Sequence, residues 1–313
     1  MKDFEFISAK NNLSEFLIIK NERVYNVTQK IVLSSKVKLN VNCSPNSKQL
    51  LTAIKQCGDN SVFTLDNNTL KIKGKSFSAK INCIEQHVPN IEYFGETFEI
   101  DGEDLKKKLK LIHKFVNCDN NHIWATGILF FKDRVFATNN IVLVESKLNK
   151  EFPEICNLPL NTVEVIINKK EAPINVQCNE RMVTFWYEND SFITSPKLSL
   201  EWPNVVSMLE QNNSNDSIEL DKQFFDKIAA LETFLQNDGC VYLNNNIVST
   251  HEKKEVGSYV ELDTQFFKTK AKFRLKDLLL LNNICTHIDT SSFPKPAFIS
   301  GENINGIIIG VPF

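Results

Sequence analysis

Apolar and polar positions along this chain form a pattern that recurs three times at domain scale. In each copy an amphipathic, helix-like stretch precedes two apolar, β-rich runs that are joined by a short polar turn. The copies cover residues 47–84, 101–148 and 221–262. A chain that repeats one unit at this scale is built from like modules.

The helix-like stretches place apolar side chains three or four positions apart, which is the spacing of one buried helix face. These faces are Leu50, Leu51, Ile54 and Cys57; Leu105, Leu109, Ile112 and Val116; and Phe224, Phe225, Ile228, Leu231 and Leu235. Residues 161–168 and 275–284 predict two further helices, so each of the later modules carries two.

The runs between the helices are rich in β-branched and aromatic residues, which favours strands. Polar clusters such as Asn67-Asn68, Asn139-Asn140 and Asn244-Asn245-Asn246 separate the runs. Because the chain has only 10 glycines in 313 residues, we expect asparagine to supply the left-handed conformations of its hairpin turns. The predicted fold class is α+β with antiparallel sheets.

Composition limits the possible functions. A 313-residue chain that is 42% hydrophobic and 24% charged suits two or three globular domains. Its net charge of -2 means that contact with nucleic acid would require basic residues gathered on one face. Eight cysteines stand singly without a CxxC pair, which predicts reduced thiols and neither a structural zinc nor a disulfide framework.

The chain shows no targeting or membrane signal. Its start lacks the apolar core of a signal peptide, and no apolar run approaches membrane-spanning length. We therefore expect a soluble, cytoplasmic protein with no membrane partner, located in the host cytoplasm if it is viral.

Two matching segments mark module boundaries. Residues 87–91 (HVPNI) and 201–205 (EWPNV) both place Pro-Asn before a new apolar residue, and residues 210–217 have the composition of a linker. These marks predict three domains, at residues 1–95, 96–212 and 213–313.

Several short segments follow one another in the order and spacing of a known family. They are Ala125-Thr126-Gly127-Ile128-Leu129, Phe136-Ala137-Thr138-Asn139-Asn140, Leu158-Pro159-Leu160, Trp202-Pro203-Asn204, Pro296-Ala297-Phe298-Ile299 and the apolar run 307–313. Together they resemble the bacterial and bacteriophage β-type DNA sliding clamp, the DNA polymerase III β subunit that makes a replicative polymerase processive. The motifs cover the second domain and the C-terminus, and the layout covers most of the chain.

Three departures from the family indicate a divergent clamp, and we expect a viral one. Only residues 9–13 (AKNNL) stand where the family opens with a helix, so this helix is expected to be truncated. The family's Asp-Gly-His-Arg loop is replaced by Asn139-Asn140-Ile141-Val142. The Met-, Pro- and Arg-rich terminal strand is replaced by the apolar residues 307–313.

The resemblance implies three repeated clamp domains per chain, with antiparallel sheets outside and two helices per domain inside a ring. Six domains close such a ring, so it implies a homodimer. The ring would encircle double-stranded DNA without reading its sequence, and it needs neither a cofactor nor a metal. DNA polymerase and a clamp loader are the implied protein partners.

Helices inside such a ring would present basic side chains to phosphate groups. On the second module's first helix, Lys107, Lys110 and Lys114 form a stripe opposite the apolar face. The candidate DNA contacts are Lys48, Lys55, Lys106, Lys107, Lys110, Lys114, Lys222, Lys227, Arg274 and Lys276. The alternative is that these side chains belong to ordinary solvated helix faces.

The resemblance also implies an apolar pocket between domains two and three, where short peptides of the polymerase and the loader dock. Its candidate residues are Ala125, Thr138, Leu143, Leu209, Ile307, Ile309, Val311, Pro312 and Phe313. An apolar groove that accepts an extended peptide is a common recognition mode. The alternative is that these are plain core and edge-strand residues.

The sequence gives little support to catalysis. It contains no nucleophile elbow, no glycine-rich phosphate loop and no metal-ligand cluster. Acidic residues such as Asp66 and Asp190 fall in turns, where they serve turn geometry and solvation. Two other classes stay open: a structural β-repeat virion or adhesion protein, and a hydrolase whose site is assembled from residues distant in sequence.

Overall fold

The structure is a computed structural model of the chain. It describes residues 2–8, 13–28, 31–58, 61–85, 87, 95–117, 121–212, 216–263 and 266–313. The chain forms two compact units, which are Met1–Lys106 with Asn161–Lys197, and Lys107–Leu160 with Leu198–Phe313.

Seven α-helices lie within the described ranges. They are α1 (Lys2–Ile7), α2 (Ser47–Cys57), α3 (Gly102–Ile112), α4 (Leu160–Asn168), α5 (Val205–Asn212), α6 (Phe224–Ala229) and α7 (Leu275–Leu279). Helices α2 and α4 lie where the apolar spacing predicts them. Helix α7 covers only the first half of its predicted range, and left-handed Asn283 (φ 66°) interrupts the second half.

The expectation of a truncated opening helix concerns residues 9–13, of which 9–12 lie outside the described ranges. A six-residue helix, α1, precedes this segment. Helix α1 is short but well anchored, because Ile7 is fully buried and the Phe6 ring packs edge-on against Tyr187 at 4.9 Å. The Asn26 side chain also donates to the Ile7 carbonyl oxygen at 2.8 Å.

The described residues also form twenty-three strands. They are β1 (Ile18–Lys20), β2 (Arg23–Val27), β3 (Val32–Lys36), β4 (Ser44–Pro45), β5 (Val62–Asp66), β6 (Thr69–Lys73), β7 (Ser78–Ile84), β8 (Thr97–Glu99), β9 (Gly127–Phe131), β10 (Arg134–Thr138), β11 (Val142–Lys147), β12 (Cys156–Pro159), β13 (Asn175–Cys178), β14 (Met182–Trp186), β15 (Phe192–Pro196), β16 (Ile218–Glu219), β17 (Cys240–Asn245), β18 (Ile247–Ser249), β19 (Tyr259–Glu261), β20 (Phe267–Arg274), β21 (His287–Asp289), β22 (Ala297–Gly301) and β23 (Ile304–Ile308).

The first unit holds two sheets. Seven strands pair in the order β1-β2-β3-β15-β14-β13-β8, and four pair in the order β4-β7-β6-β5. Antiparallel pairing of β3 with β15 sets Leu33 opposite Ile193, so the larger sheet joins strands predicted for domains one and two. Its core side chains include Ile19, Phe185 and Phe192.

The second unit repeats this arrangement. Eight strands pair in the order β12-β9-β10-β11-β23-β22-β21-β16, and four pair in the order β19-β18-β17-β20. Antiparallel pairing of β11 with β23 sets Leu143 opposite Ile307, so this sheet joins strands predicted for domains two and three. The antiparallel α+β class is therefore confirmed. The boundaries after residues 95 and 212 stay predictions.

Asparagine takes most of the left-handed non-glycine positions among the described residues, as the low glycine content predicts, and Glu22, Lys132 and Asp190 take the others. Asn67 and Asn68 turn β5 into β6 with φ values of 48° and 61°. Asn140 (φ 71°) lies between β10 and β11, and Asn245 (φ 51°) is the last residue of β17, just before the turn into β18. Asn tolerates this region better than other side chains because its short amide can hydrogen-bond locally.

Candidate functional site: an apolar pocket and basic helix faces

A pocket of about 110 Å³ opens on the second unit, beside the turn that joins β10 to β11. Its lining residues are Trp124, Thr138, Asn140, Ile141, Val142, Leu143, Pro203, Val205, Met208, Ile307 and Ile309. Strands β11 and β23 supply one side of it and α5 supplies another. The exposed side chains at its mouth include Met208 and Ile309.

Below the pocket lies a cluster of buried apolar side chains. It consists of Leu129, Phe136, Leu143, Val205, Leu209 and Ile307, with Phe131, Trp202, Val206 and Phe298 packed against it. Side chains at alternate strand positions point to one face of a sheet, so Phe136 and Leu143 reach the cluster from neighbouring strands. Closely packed apolar side chains therefore form the bottom of the pocket, which is called its apolar floor below.

The turn at the pocket is held by its own polar side chains. The Asn139 Oδ1 atom accepts the backbone N–H groups of Ile141 at 3.0 Å and Val142 at 2.7 Å. The Thr138 hydroxyl donates to the Val142 carbonyl oxygen at 2.9 Å and accepts from the Asn140 N–H at 3.0 Å. Because this hydroxyl is already bonded, the pocket offers a bound molecule mainly apolar contacts.

Two tryptophans stand at one side of the pocket. The rings of Trp124 and Trp202 lie 5.0 Å apart, and His122 stacks on Trp124 at 5.7 Å. Asn204 begins α5 by accepting the Ser207 N–H through its side chain at 3.1 Å. The segment Trp202-Pro203-Asn204 thus directs the chain into α5 at the pocket's edge.

The second feature is the basic face of α3. The helix begins with the Asp101 carboxylate accepting the Asp104 N–H at 3.0 Å, and its Leu105, Leu109 and Ile112 side chains are buried. On the opposite face Lys107 and Lys110 are exposed, and neither ammonium forms an ion pair with a described residue. Two unpaired cations one helical turn apart suit contact with phosphate groups.

Lys114 continues this face beyond the end of α3, in the 3-10 turn His113–Phe115. Its ammonium lies 3.4 Å from the Asn282 carbonyl oxygen and 5.5 Å from the centre of the Phe115 ring. Partial burial lowers the pKa of Lys114. This lysine is therefore more restrained than Lys107 and Lys110.

Two neighbouring lysines of α3 have structural roles instead. Lys106 donates to the carbonyl oxygens of Lys169 at 2.7 Å, Lys170 at 3.2 Å and Glu171 at 3.3 Å, which lie just beyond the end of α4. Lys108 is 8% exposed and donates to the Asn303 side chain at 2.8 Å.

Other chemistry is not evident in the described part of the chain. There, no three His, Cys, Asp or Glu side chains are grouped so as to hold a metal ion. No helix in the same ranges is long and apolar enough to cross a membrane.

No protein-family model matches the chain, and no curated protein matches its sequence. Solved structures, however, match it along nearly its whole length. The DNA polymerase III subunit β from Pseudomonas aeruginosa gives a TM-score of 0.83 at 12% identity, over 100% of this chain and 97% of that one. The fold is that of a bacterial β sliding clamp.

Two structures of another clamp lead to the same fold. The Helicobacter pylori β clamp in complex with 3,4-difluorobenzamide gives a TM-score of 0.79 at 16% identity, over 98% of this chain and 95% of that one. The same clamp bound to a DNA ligase peptide gives 0.76 at 15% identity, over 99% and 97%. The sliding-clamp fold predicted from the sequence is confirmed, and a count of three modules agrees with it.

Within this clamp fold, the predicted pocket residues divide into four groups. Thr138, Leu143, Ile307 and Ile309 line the pocket, and Leu209 lies in the apolar floor beneath it. Ala125 is fully buried next to Trp124 and is not a lining residue.

The last three predicted pocket residues, Val311, Pro312 and Phe313, lie elsewhere, which corrects that part of the assignment. The Val311 N–H donates to the Lys272 carbonyl oxygen at 2.8 Å, so the chain leaves β23 and runs beside β20. Phe313 then packs on Phe293 at 5.3 Å and on Tyr242 at 6.1 Å. An apolar C-terminal segment can pack on this aromatic surface as well as in the pocket, so its composition does not show which of the two it contacts.

Sequence reasoning missed the remaining lining residues. They are Trp124, Asn140, Ile141, Val142, Pro203, Val205 and Met208. A signal existed for the segment 202–205, which the sequence presents as a module boundary although it also enters a helix. A second signal was the turn 139–142, whose departure from the clamp motif was noted without assigning its residues to the pocket.

The other predicted DNA contacts differ in their surroundings. Lys48 and Lys55 are exposed on α2, and Arg274 and Lys276 are exposed at the start of α7. Lys222 is exposed in the turn before α6 rather than on the helix. Lys227 pairs with the Asp263 carboxylate at 2.6 Å, which neutralises its charge.

Proposed function

We propose that this protein is a DNA polymerase sliding clamp, a processivity factor that encircles duplex DNA as a homodimeric ring. The observation that carries the proposal is the match of the clamp fold over nearly the whole chain and nearly the whole of each matched clamp. A match to a single module would be compatible with many kinds of protein. A match to all modules in the same order is what a ring-forming clamp chain requires.

Contact with DNA is assigned to exposed basic side chains on helices. Lys107 and Lys110 on α3 are the strongest members, and Lys48, Lys55, Arg274 and Lys276 are further members. Because lysine and arginine bind phosphate without reading bases, the contact is independent of sequence and weakens with salt. Lys106 and Lys227 are omitted because groups of the fold already occupy them.

Partner proteins are proposed to dock in the pocket through a short peptide. The Helicobacter pylori clamp was solved with a DNA ligase peptide, which makes a peptide of this kind a suitable first probe. The exposed Met208 and Ile309 side chains beside Trp124 offer apolar surface to such a segment. A replicative polymerase and a clamp loader are the proposed partners, and the cytoplasm is the proposed location.

The alternatives are less favoured. A structural β-repeat virion or adhesion protein needs neither basic helix faces nor an apolar pocket on a sliding-clamp fold. For a hydrolase, the described residues present no metal cluster, and the pocket's one hydroxyl is already bonded within its turn. The proposed role is therefore binding without catalysis.

A matched pair of charge reversals tests the DNA assignment. Lys107→Glu with Lys110→Glu removes the α3 stripe, and Lys80→Glu with Lys295→Glu makes the same charge change at exposed positions outside the helices. Binding of two unrelated labelled duplexes is followed by fluorescence anisotropy across a salt series. We expect the α3 variant to reduce the salt slope by about 0.9 per lost phosphate contact, equally for both duplexes.

The control variant should behave as the wild type does. If both variants lose the same affinity, the loss is explained by the change in net charge, and the assignment of α3 to the DNA interface is contradicted. The function itself is tested by primer extension on a circular template with the replicative polymerase of the source organism. Product length that does not increase when the protein is added would contradict the clamp proposal.

A further inference from the structure

A buried carboxylate lies on the far side of the pocket turn. Asp277 belongs to α7, is 3% exposed and is not a lining residue of the pocket. Its Oδ1 atom accepts a hydrogen bond from the Asn139 Nδ2 group at 3.2 Å. Its Oδ2 atom is buried and has no hydrogen-bond partner among the described residues.

Burying a carboxylate is costly unless its oxygens are bonded, so the position calls for a reason. Ordinary helix packing does not supply one, because Leu275 and Leu278 on the same short helix already fill the core. The one hydrogen bond that Asp277 makes with a described side chain is to Asn139, which holds the turn.

Both the oxygen and the nitrogen of the Asn139 side-chain amide form hydrogen bonds. Its oxygen accepts the Ile141 and Val142 N–H groups, and its nitrogen donates to Asp277. If the amide turned over, its NH₂ group would face two N–H donors and its oxygen would face the Asp277 carboxylate. All three hydrogen bonds would be lost, so an acceptor at Asp277 fixes the orientation of Asn139.

This orientation determines the position of the pocket's edge, because Ile141 and Val142 are lining residues. Resting on the proposed peptide-binding function, we propose that Asp277 is a positioning residue for the partner pocket. It orients the Asn139 amide, and Asn139 holds Ile141 and Val142 where an incoming peptide contacts them. Asp277 itself does not touch the peptide.

Three variants test this role. Asp277→Leu removes the acceptor at similar volume, and Asp277→Asn removes the charge but keeps an oxygen that can accept from Asn139. Asp226→Leu is the matched control, because Asp226 is an exposed aspartate on another short helix, α6. The readouts are hydrogen exchange of the Ile141 and Val142 amides by NMR, and affinity for the ligase-type peptide.

We expect Asp277→Leu to speed exchange of both amides and to weaken peptide binding, each by about tenfold. Asp277→Asn should stay within about threefold of the wild type in both, and Asp226→Leu should change neither. Combining Asp277→Leu with Asn139→Ala should be no worse than Asn139→Ala alone, because the two residues act through one hydrogen bond.

Each contrary result has its own meaning. Unchanged amide exchange in a folded Asp277→Leu protein would overturn the positioning role, as would faster exchange with unchanged peptide affinity. If the wild type does not bind the peptide, peptide docking fails as a function, and the exchange data still decide whether Asp277 fixes the turn. Should Asp277→Leu not fold, Asp277→Ala removes the same acceptor without adding a larger apolar side chain, and the same comparison applies.

Discussion

At the residue scale, burial changes the pKa of a lysine side chain. Lys169 follows α4, and its ammonium donates to the Phe6 carbonyl oxygen and lies 4.6 Å from the centre of the Phe6 ring. Burial lowers the pKa of Lys169 to about 8, although the nearby Glu171 carboxylate raises it. The charged form is therefore less stable in the folded protein than in the unfolded chain.

This shift predicts a pH-dependent stability. Between about pH 8 and pH 10.5 the unfolded chain keeps the Lys169 proton while the folded protein loses it, so the free energy of unfolding rises with pH. Lys169→Met removes this contribution. Urea unfolding of both proteins should show the wild type gaining up to about 1.4 kcal/mol per pH unit relative to the variant in that range.

Below about pH 8 the Lys169 ammonium is charged in both states, so the difference between the two proteins should not vary with pH. Other titrating groups are common to both proteins and cancel in the comparison. A difference that stays constant up to pH 10.5 would show that Lys169 titrates as an exposed lysine.

At the scale of elements, the pocket belongs to β10, β11, β23 and α5, and the C-terminal tail belongs to β20. Gly310 allows the backbone of the tail to pass close to Phe293, because a Cβ atom there would lie 2.4 Å from the Phe293 ring. Beyond it, Phe313 remains 60% exposed while it packs on its aromatic neighbours. The tail contributes to the surface of another sheet rather than to the pocket.

Deletion of Pro312 and Phe313 is therefore expected to leave peptide affinity within about threefold of the wild-type value, because neither residue lines the pocket. Ile309→Asp places a charge in the pocket itself and should weaken binding at least about tenfold. Fluorescence of the labelled ligase-type peptide measures both. If the deletion alone abolishes peptide binding, the C-terminal tail is part of the peptide-binding site after all.

At the scale of the whole molecule, each compact unit carries one large and one four-stranded sheet. The four-stranded sheet of the first unit has an open edge at β5 among the described residues, whereas β4 at its other end is hydrogen-bonded to the chain around β1, with the Leu17 N–H donating to the Pro45 carbonyl oxygen at 3.1 Å. Val62 on the open edge strand β5 is 61% exposed. Open edges of this kind favour pairing with another chain unless they are covered.

Light scattering across a concentration series is expected to give twice the 35.8 kDa mass of one chain. Val62→Asp places a charge on the open β5 edge and should lower the mass to that of a single chain. Ile155→Asp, at an exposed apolar position on the other unit, should not change the mass. A single-chain mass for the wild type at every concentration would contradict the homodimer.

Local sequence patterns determined much of this protein. The spacing of apolar residues located α2, α3 and α4, because a helix turns one face to the core. Runs of β-branched and aromatic residues separated by polar clusters located the hairpins. The asparagine-rich turns followed from the shortage of glycine. These features depend on residues close together in the chain, so the sequence alone is sufficient to predict them.

Tertiary structure decided the features that join distant residues. It brought Cys43 close to Cys83, although the sequence shows only scattered thiols, and burial together with this neighbour raises the pKa of the Cys43 thiol. It placed Phe313 on an aromatic surface away from the pocket, and it paired Asn139 with Asp277, 138 positions along the chain. Composition and periodicity do not encode such contacts, because packing and strand register across modules determine which side chains meet.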